Sequence, residues 1–570
     1  MRTPRLLPFL PLIAIAACLL AQPTSHAASA PSDADPKIDG VAVRDVPYAP
    51  LMAVIGGGCF GPFDDAQIRQ IATTWRMVNS HGGMLPHHDI SQPPSSYWAS
   101  ADCGRDAAGR TIGERIKAIN PRFIFSNYRN GSYIAQFSPW EAEEVERRFP
   151  TGISVWNTGC TLVRDVAADD TRIIITRFAA DEIPARPAVK EGRPATYPFK
   201  VSTTSTEFTR TTDAYVAWLR LGDELLRIEN VSVTDAGLEL EARRGLWGTK
   251  ATAHAAGAAV LQPIYIGRNM GIDAPDGALG GRPDDPSSQP GIRYALMTFD
   301  PRMHEWVGEK AQRIFDAGND VCWLDVSVST WYNNANAYGD QVRPWNIRTQ
   351  APLTQDQYRE WQQEKNDSLY RRFPGRKFWI NNVKGNVYFR NGHERLQLSG
   401  ENGHHPVNGG SMEMYANHRG NAAAWIQTAD MTLDIVRSKF HGVAWSKGRN
   451  DLDYRRFSYA TYLLAYEPGA ELYFAIGEGG GLTQRPRDLF YYDLGEPVQR
   501  FTHIAEAELA EAKGIYSRHF TRARILVNPG LEPRTVSLEK PYVNSTNGEF
   551  VSKLELAGNT AAILLAPVAK

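Results

Sequence analysis

The sequence predicts an α/β protein, a (β/α)8 TIM barrel with an inserted small all-β module and a C-terminal antiparallel β domain. Three observations favour this fold. Short apolar runs alternate with helical patterns through most of the chain, as in a parallel sheet with crossover helices. The stretch 171–265 breaks this rhythm with hairpin patterns, and 510–570 are β-patterned again. We therefore assign 45–170 and 266–505 to the barrel.

The first 27 residues predict a secretory signal peptide. Two arginines precede an apolar run at 6–20, and small residues lead up to Ala27, after which we expect cleavage. The run is too short to span a bilayer comfortably, and no later segment is typical of a membrane span. The sequence thus predicts a secreted or periplasmic protein. Residues 15–18 also resemble a lipoprotein box, so a lipid anchor at Cys18 is the alternative.

Charge and composition exclude some classes of partner. The 62 Lys and Arg residues balance the 63 Asp and Glu residues, which argues against nucleic acid because phosphate binding needs a basic surface. The 14 tryptophans suit either a core or the stacking faces of a sugar site.

Four cysteines remain after cleavage. An oxidising compartment permits disulfides, and Cys59–Cys103 is the favoured pair. Cys322 lies in an apolar run and is expected to be a small buried residue, and Cys160 is the fourth. The spacing of the cysteines matches no zinc site, and we predict neither a metal nor a cofactor.

Nine apolar runs are candidates for the eight barrel strands, so one of them is expected to lie outside the barrel. They are residues 51–55, 123–125, 153–156, 294–297, 321–324, 378–380, 412–415, 443–445 and 472–475. Between the first two runs, apolar positions across 68–78 recur at spacings of three and four and predict an amphipathic helix.

The inserted module is predicted from hairpin patterns. Residues 218–228 favour a hairpin with its turn at Gly222 and Asp223, and 238–241 alternate by twos. The pattern GDELLRI…RRGLWGT…H over 222–254 resembles hairpin modules of phage tail-type and secreted bacterial proteins. We interpret the module as a structural insertion that shapes one wall of a cleft, with a substrate-gripping accessory as the alternative.

Two acidic residues are the candidates for catalysis. Glycosidic bond cleavage needs a pair of carboxyl groups, and barrel enzymes carry such groups where strands end. Asp325 ends the run 321–324 and is expected to be the nucleophile or base, while Glu413 lies in a later apolar run and is expected to be the acid. Glu401, in a Gly-rich loop beside two histidines, is the competing acid.

Polar and aromatic residues recur at the ends of the predicted strands and in the loops near them. Amides and lysine suit sugar hydroxyls, and aromatic rings suit a sugar face. The predicted substrate-binding residues are Asp89, Asn127, Tyr128, Asn157, Trp331, Asn382, Glu401, His404, Tyr415, Trp445 and Lys447. Adjacent residues rarely bind one ion together, so the pair His404 and His405 predicts a polar loop rather than a metal site.

Three stretches resemble a broad group of secreted bacterial hypothetical glycoside hydrolases. They are Asp-Pro…Trp…Ala-Gly-Asn-Asp-Val-Cys-Trp-Leu-Asp at 300–325, Met-Glu-Met-Tyr at 412–415, and Tyr-Ser-Arg-His-Phe…Asn-Pro at 516–529. The barrels of that group are distantly similar to those of α-galactosidases and α-amylases. The resemblance implies that Asp325 is the nucleophile or base and that Glu413 matches the later acid.

These observations predict an exported glycoside hydrolase that acts on an oligo- or polysaccharide. Its stereochemistry depends on the separation of the two carboxyl groups. A non-catalytic carbohydrate-binding or surface polysaccharide-assembly protein on the same barrel is the main alternative, since a fold does not fix a function. A metal-dependent esterase that uses His87, His88 and Asp89 is a third interpretation.

Overall fold

The computed structural model describes most of the barrel, the inserted sheet and the C-terminal domain. The described residues are 37–38, 41–42, 47–55, 63–80, 106–131, 148–149, 152, 154–176, 218–245, 248–263, 297–325, 327, 345–381, 383–390, 393–400, 403–417, 420–447, 452–476 and 488–567.

Eight parallel strands close into a barrel, which confirms the predicted fold class. In chain order they are β1 Leu51–Ile55, β2 Met77–Ser80, β3 Ile124–Asn130, β4 Val321–Asp325, β5 Lys377–Ile380, β6 Gly409–Glu413, β7 His441–Ser446 and β8 Leu472–Ile476. Each strand pairs with the next one along the chain, and β8 pairs with β1 to close the sheet. All eight strands therefore deliver their carboxyl ends to one face.

Helices connect the strands. They are α1 Asp65–Thr74, α2 Ile112–Ile119, α3 Pro301–Asp316, α4 Gln355–Arg372, α5 Gly385–Arg390, α6 His393–Ser399, α7 Ala422–Arg437 and α8 Leu452–Ala465. Asp64, Thr111 and Thr354 begin three of them with capping boxes, which satisfy backbone N–H groups that have no partner in the helix. Among the described residues, no helix combines the length and apolarity that crossing a membrane requires.

Large rings fill the inside of the barrel. Trp323, Trp379, Trp445 and Tyr473 are at most 1% exposed, and the Trp323 ring lies 6.1 Å from Trp379 and 6.5 Å from Trp445. Gly409 makes room for this layer, because a Cβ atom there would lie 2.6 Å from the Trp379 ring. The barrel is thus a packed core with a floor of indoles below its mouth.

Three of the expected elements differ from the structure. The helix predicted over 68–78 ends at Thr74, and Met77–Ser80 is the barrel strand β2. The run at 153–156 lies in strand Val155–Thr161, which pairs antiparallel with Ala259–Pro263 outside the barrel. Of the run at 294–297, only Met297 is described, and it lies in a turn before α3. Seven of the nine candidates therefore contain barrel strands, and β2 was missed.

The inserted module is a six-stranded antiparallel sheet with its own core. Its spatial order is Val155–Thr161, Ala259–Pro263, Trp218–Leu221, Glu224–Thr234, Gly237–Arg243 and Arg172–Ile175. The turn between the third and fourth of these strands lies at Gly222 and Asp223, where Gly222 has φ 55°. The sheet thus includes a strand that precedes the predicted start of the module at 171.

A buried ion network explains the sequence pattern of the insertion. The Glu224 carboxylate is fully buried and accepts two bonds from the Arg244 guanidinium, at 2.6 and 2.7 Å. His254 Nε2 lies 2.8 Å from the same carboxylate. Burial opposes ionisation of Glu224, but the hydrogen bonds from Arg244 and His254 outweigh it and lower the pKa to about 2. The motif therefore holds the module together.

The C-terminal domain is a five-stranded antiparallel sheet. Its order is Tyr516–Phe520, Ala523–Asn528, Thr560–Leu565, Arg534–Asn544 and Phe550–Leu556. Arg518 is buried and donates to the carbonyls of Leu463 and Tyr466, at the end of α8 and just beyond it. Asn528 donates to carbonyls of three residues in this domain. Arg518 and Asn528 of the 516–529 stretch therefore have structural roles.

Candidate functional site

Five neighbouring barrel strands bring polar side chains together above the indole floor. Tyr128 is in β3, Asp325 ends β4, Asn381 follows β5, Glu413 ends β6 and Lys447 follows β7. Side chains alternate between the two faces of a strand. Each of these five residues lies two positions after a residue whose side chain faces the inside of the barrel. The inward set includes Trp323, Trp379 and Trp445. Strand periodicity alone therefore aims all five side chains at the barrel mouth.

One amide nitrogen bridges the two candidate catalytic carboxylates. Asn381 Nδ2 donates to Asp325 Oδ1 at 2.8 Å and to Glu413 Oε2 at 3.1 Å. The two hydrogens of an amide nitrogen diverge by about 120°, so these bond lengths put the two carboxylate oxygens roughly 5 Å apart. Asp325 and Glu413 thus face each other across one side chain, and both are partly open to solvent.

The remaining contacts fix the orientation of this cluster. The Tyr128 hydroxyl donates to Asp325 Oδ2, and the Lys447 ammonium donates to Glu413 Oε1 at 2.7 Å. The Ser411 hydroxyl donates to Asn381 Oδ1, while the amide nitrogen faces the two carboxylates, which can only accept. The Lys447 and Glu413 side chains are 29% and 21% exposed, so an incoming ligand can reach this ion pair.

Trp445 lies in the floor of the site rather than in its wall. The Lys447 ammonium lies 4.8 Å from the centre of the Trp445 ring, a cation–π contact that supports the lysine. Trp445 is only 1% exposed and packs against Trp323. Its faces are therefore covered by protein, which corrects the expectation that Trp445 presents a stacking face to a sugar.

Two expected substrate-binding residues point away from the mouth. Asn127 is fully buried and shares the outward-facing parity of Phe125, which packs in the layer between barrel and helices. The Tyr415 hydroxyl is 3.2 Å from Thr432 of α7, and burial raises the pKa of this phenol above its ordinary value. The alternation of side chains along a strand explains the misplacement of Asn127, and a turn after β6 explains that of Tyr415.

Two further expectations fall on other parts of the molecule. Asn157 lies in the inserted sheet, where its side chain accepts from the Gly159 backbone N–H at 2.9 Å. His404 lies in the loop that leads into β6, at the opposite end of the barrel from Asp325. Its Nδ1 atom is 2.7 Å from Asp367 of α4. Both residues therefore make local structural contacts.

Several predicted residues lie outside the described part of the chain. They are Asp89, Trp331, Asn382 and Glu401, together with His87, His88 and the expected Cys59–Cys103 pair. Cys160 and Cys322 are buried. Within the described ranges, no three His, Cys, Asp or Glu side chains converge as metal ligands would.

Asn381 is the site residue that sequence reasoning missed. The pair Asn381 and Asn382 follows β5. The alternation of side chains along the strand could have shown which of the two faces the barrel interior. Because Trp379 faces inward, position 381 faces inward too.

A buried lysine braces the loops beside Asp325 and was also missed. Lys365 of α4 is fully buried, and its ammonium donates to Gly131 O at 3.0 Å, Ser327 Oγ at 2.8 Å and Gln362 Oε1 at 2.7 Å. Gly131 in turn donates its backbone N–H to Asp325 O at 2.9 Å. Burial lowers the pKa of Lys365 to about 7. The lysine thus ties together the ends of β3 and β4.

A family match covers the second half of the barrel. Residues 282–524 match the model of a family described as hypothetical glycosyl hydrolase family 15. The matched residues include β4 to β8, Asp325 and Glu413. This part of the chain is therefore similar to that family, which confirms the resemblance predicted from the sequence. A search of curated proteins found no match.

Solved structures of carbohydrate-active enzymes are similar to the chain at low scores. A GH31 dextranase of Flavobacterium johnsoniae in complex with isomaltotriose matches at 10% identity and a TM-score of 0.36, over 91% of this chain and 52% of its own. A GH27 β-L-arabinopyranosidase of Geobacillus stearothermophilus in complex with arabinose matches at 10% identity and 0.34, over 91% and 98%. A Nostoc punctiforme debranching enzyme matches at 9% identity and 0.35, over 92% and 100%. The chain spans about half the length of the dextranase.

Proposed function

We propose that the protein is an exported glycoside hydrolase that cleaves a poly- or oligosaccharide with Asp325 and Glu413 as its carboxylate pair. The family match supports the reaction class. The observation that carries the residue assignment is the Asn381 nitrogen, which bonds both carboxylates at once. Two carboxyl groups that share one donor at the mouth of a barrel are placed to act on one bond.

The separation of the carboxylates favours retention of configuration. Retaining glycosidases hold their two carboxyl groups about 5–5.5 Å apart, whereas inverting enzymes need about 6.5–9.5 Å to admit a water molecule. The nearest oxygens of the pair lie roughly 5 Å apart across the bridge, a spacing closer to the first range than to the second. In the proposed reaction Asp325 attacks the anomeric carbon, and the bond to the leaving oxygen breaks as Glu413 gives that oxygen its proton. Glu413 then takes a proton from water, which releases the sugar from Asp325.

The neighbouring residues would support these two roles. The Tyr128 hydroxyl and the Asn381 amide donate to Asp325, which holds the carboxylate in one orientation for attack. The Lys447 ammonium pairs with ionised Glu413, the form in which Glu413 acts as the base of the second step. For the first step Glu413 must be protonated, and the partial exposure of this pair lets a leaving oxygen take the place of Lys447.

Activity measurements on two amide variants test the residue pair. We expect Asp325→Asn and Glu413→Gln each to lower the release of reducing ends from a hydrolysed polysaccharide by about 10³-fold, since each removes an acid–base or nucleophilic group. Asp320→Asn and Glu471→Gln are matched controls because both residues lie just before a strand, at the far end of the barrel from the site. Full activity in either amide variant of the pair would remove that residue from the mechanism.

Azide distinguishes the two roles. With an activated aryl glycoside, azide added to Glu413→Ala should restore turnover and yield a glycosyl azide of retained configuration, because Asp325 still forms the covalent intermediate. Azide added to Asp325→Ala should instead attack the sugar directly and yield the inverted product. The opposite pattern of configurations would exchange the two assignments.

Export is the second part of the proposal, and it rests on the leader sequence. The mass of the mature protein, after expression in a Gram-negative host, should correspond to cleavage after Ala27. Release from membranes only by detergent, with a lipid-modified Cys18, would instead establish the anchored form.

A non-catalytic carbohydrate-binding protein is the second candidate. One observation favours it, since hydrogen-bond donors engage both oxygens of Asp325 and of Glu413 in the free protein. Such a protein would bind glycan equally well as wild type and as an Asp325→Asn, Glu413→Gln double variant, and would release no sugar from any polysaccharide. Sugar release by the wild type would exclude it.

A further inference from the structure

A cavity of about 510 Å³ lies beside Glu413, outside the barrel wall. It is bounded by the end of β6, the segment before α5 and the first half of α7. Its volume falls within the range of about 300–1,000 Å³ that is usual for small-molecule sites. Glu413 lines both the cavity and the candidate active site, so the two adjoin each other at the end of β6.

Three methionines give this cavity an apolar side. Met412 and Met431 are buried, whereas Met414 is 49% exposed. Thioether side chains are flexible and polarizable, so they pack well against small apolar groups of irregular shape. We call the cavity the methionine pocket.

Two amides give the methionine pocket a polar side. Asn417 and Gln427 also line it. Within the described residues, neither side-chain amide bonds another protein group; Asn417 is partly open to solvent and Gln427 is exposed. A carbonyl or N–H group of a ligand can therefore bind them without displacing an internal bond. A methyl group joined to an amide or ester carbonyl would satisfy both sides of the pocket.

Strained backbone shapes the wall that the pocket shares with the active site. Met414 and Ala416 have φ of 57° and 56°, in the left-handed region that non-glycine residues rarely occupy. Backbone strain of this kind clusters at ligand sites. The Tyr415 backbone N–H donates to Trp445 O at 2.8 Å, which pins this turn to the floor of the site.

We propose that the methionine pocket binds an acylated sugar unit of the substrate, one that carries an acetamido or acetyl group. The acyl methyl group packs on Met412 and Met431, and the acyl carbonyl or N–H bonds the amides of Asn417 and Gln427. The inference rests on the proposed function, because it takes the neighbouring carboxylates as the site of cleavage. It narrows the substrate class from any polysaccharide to acylated ones.

Binding of simple sugars to methyl-labelled protein tests this proposal without hydrolysis. The probes are N-acetylglucosamine and N-acetylgalactosamine, each compared with glucose and galactose, added to protein that carries ¹³C in its methionine methyl groups. We expect the acetylated sugars to shift the Met412 and Met431 signals with dissociation constants at least tenfold lower than those of the plain sugars. Met303, buried in α3, is the internal control and should not shift.

A filling variant supplies the matched control. Ala424 lines the pocket near the start of α7, and Ala423 beside it is exposed and does not line it. Ala424→Leu should abolish the acetyl-dependent shifts, whereas Ala423→Leu should leave them unchanged. Equal shifts with acetylated and plain sugars, or none with any of them, would overturn the proposal. Acetyl-dependent binding in a protein that releases no sugar would uphold the pocket while refuting the hydrolase.

Discussion

Replacement of Asn381 by leucine tests the bridge between the carboxylates most directly. Leucine has a similar volume but no donor, so the variant loses both bonds from Nδ2, at 2.8 and 3.1 Å. Hydrogen bonds to charged groups contribute about 1.5–3 kcal/mol each. Because the Glu413 side chain is 21% exposed, we take the lower end for both bonds. With both bonds counted in full toward the transition state, the upper bound of the loss is about 3 kcal/mol, or a roughly 150-fold lower kcat/KM.

The assay compares kcat/KM with thermal melting for the same set of variants. Asn157→Leu is the matched control, since Asn157 lies in the inserted sheet, and we expect it to keep kcat/KM within about twofold. Ser411→Ala loses only the bond that orients the amide and should fall between the two. If Asn381→Leu melts like the wild type and keeps full kcat/KM, the bridge has no part in catalysis.

Three further predictions concern stability and are checked by melting temperature across pH. Glu224→Gln should lower the free energy of unfolding by about 3 kcal/mol at pH 7, because the pKa of Glu224 is lowered to about 2. This stabilisation is present above about pH 4.5 and fades as the pH falls toward 2. Equal melting temperatures of the variant and the wild type at pH 7 would contradict it. Glu394 is fully buried and burial raises its pKa to about 8, so wild-type stability should decline as pH rises from about 4.5 to 8. Glu394→Gln should therefore raise the free energy of unfolding by about 3 kcal/mol at pH 7. The same pH dependence of the melting temperature in variant and wild type would refute this. Trp379→Ala should lose about 3–5 kcal/mol by leaving a cavity in the barrel core, and a melting point within a degree of the wild type would contradict a packed floor.

The sequence was most informative about the barrel where strands are short, apolar and flanked by turns. The carboxyl ends of β4, β5 and β7 could be located because apolar runs stop at polar residues there. The strand β2 was missed because α1 and β2 are separated by only two residues. The apolar residues at the start of the strand happen to continue the helical spacing of α1, so periodicity alone cannot tell where the helix ends and the strand begins.

The residues of the candidate site can be predicted only where the alternation of side chains along each strand is taken into account. A shift of one residue moves a side chain to the other face of the sheet, which is why Asn127 failed and Asn381 was passed over. The misplacement of His404 has another cause, because a loop that enters a strand lies at the opposite end of the barrel from one that leaves it. The role of Lys365 depends on contacts between α4 and two distant loops, and no local pattern encodes these.

The indole layer below the site also gives the protein an optical reporter. Trp445 is buried, and the Lys447 ammonium lies 4.8 Å from the centre of its ring. A bound sugar that draws Lys447 away changes the electric field at this indole and hence its emission. Fluorescence of the unlabelled chain can therefore follow ligand occupancy in real time, even in variants that turn over nothing.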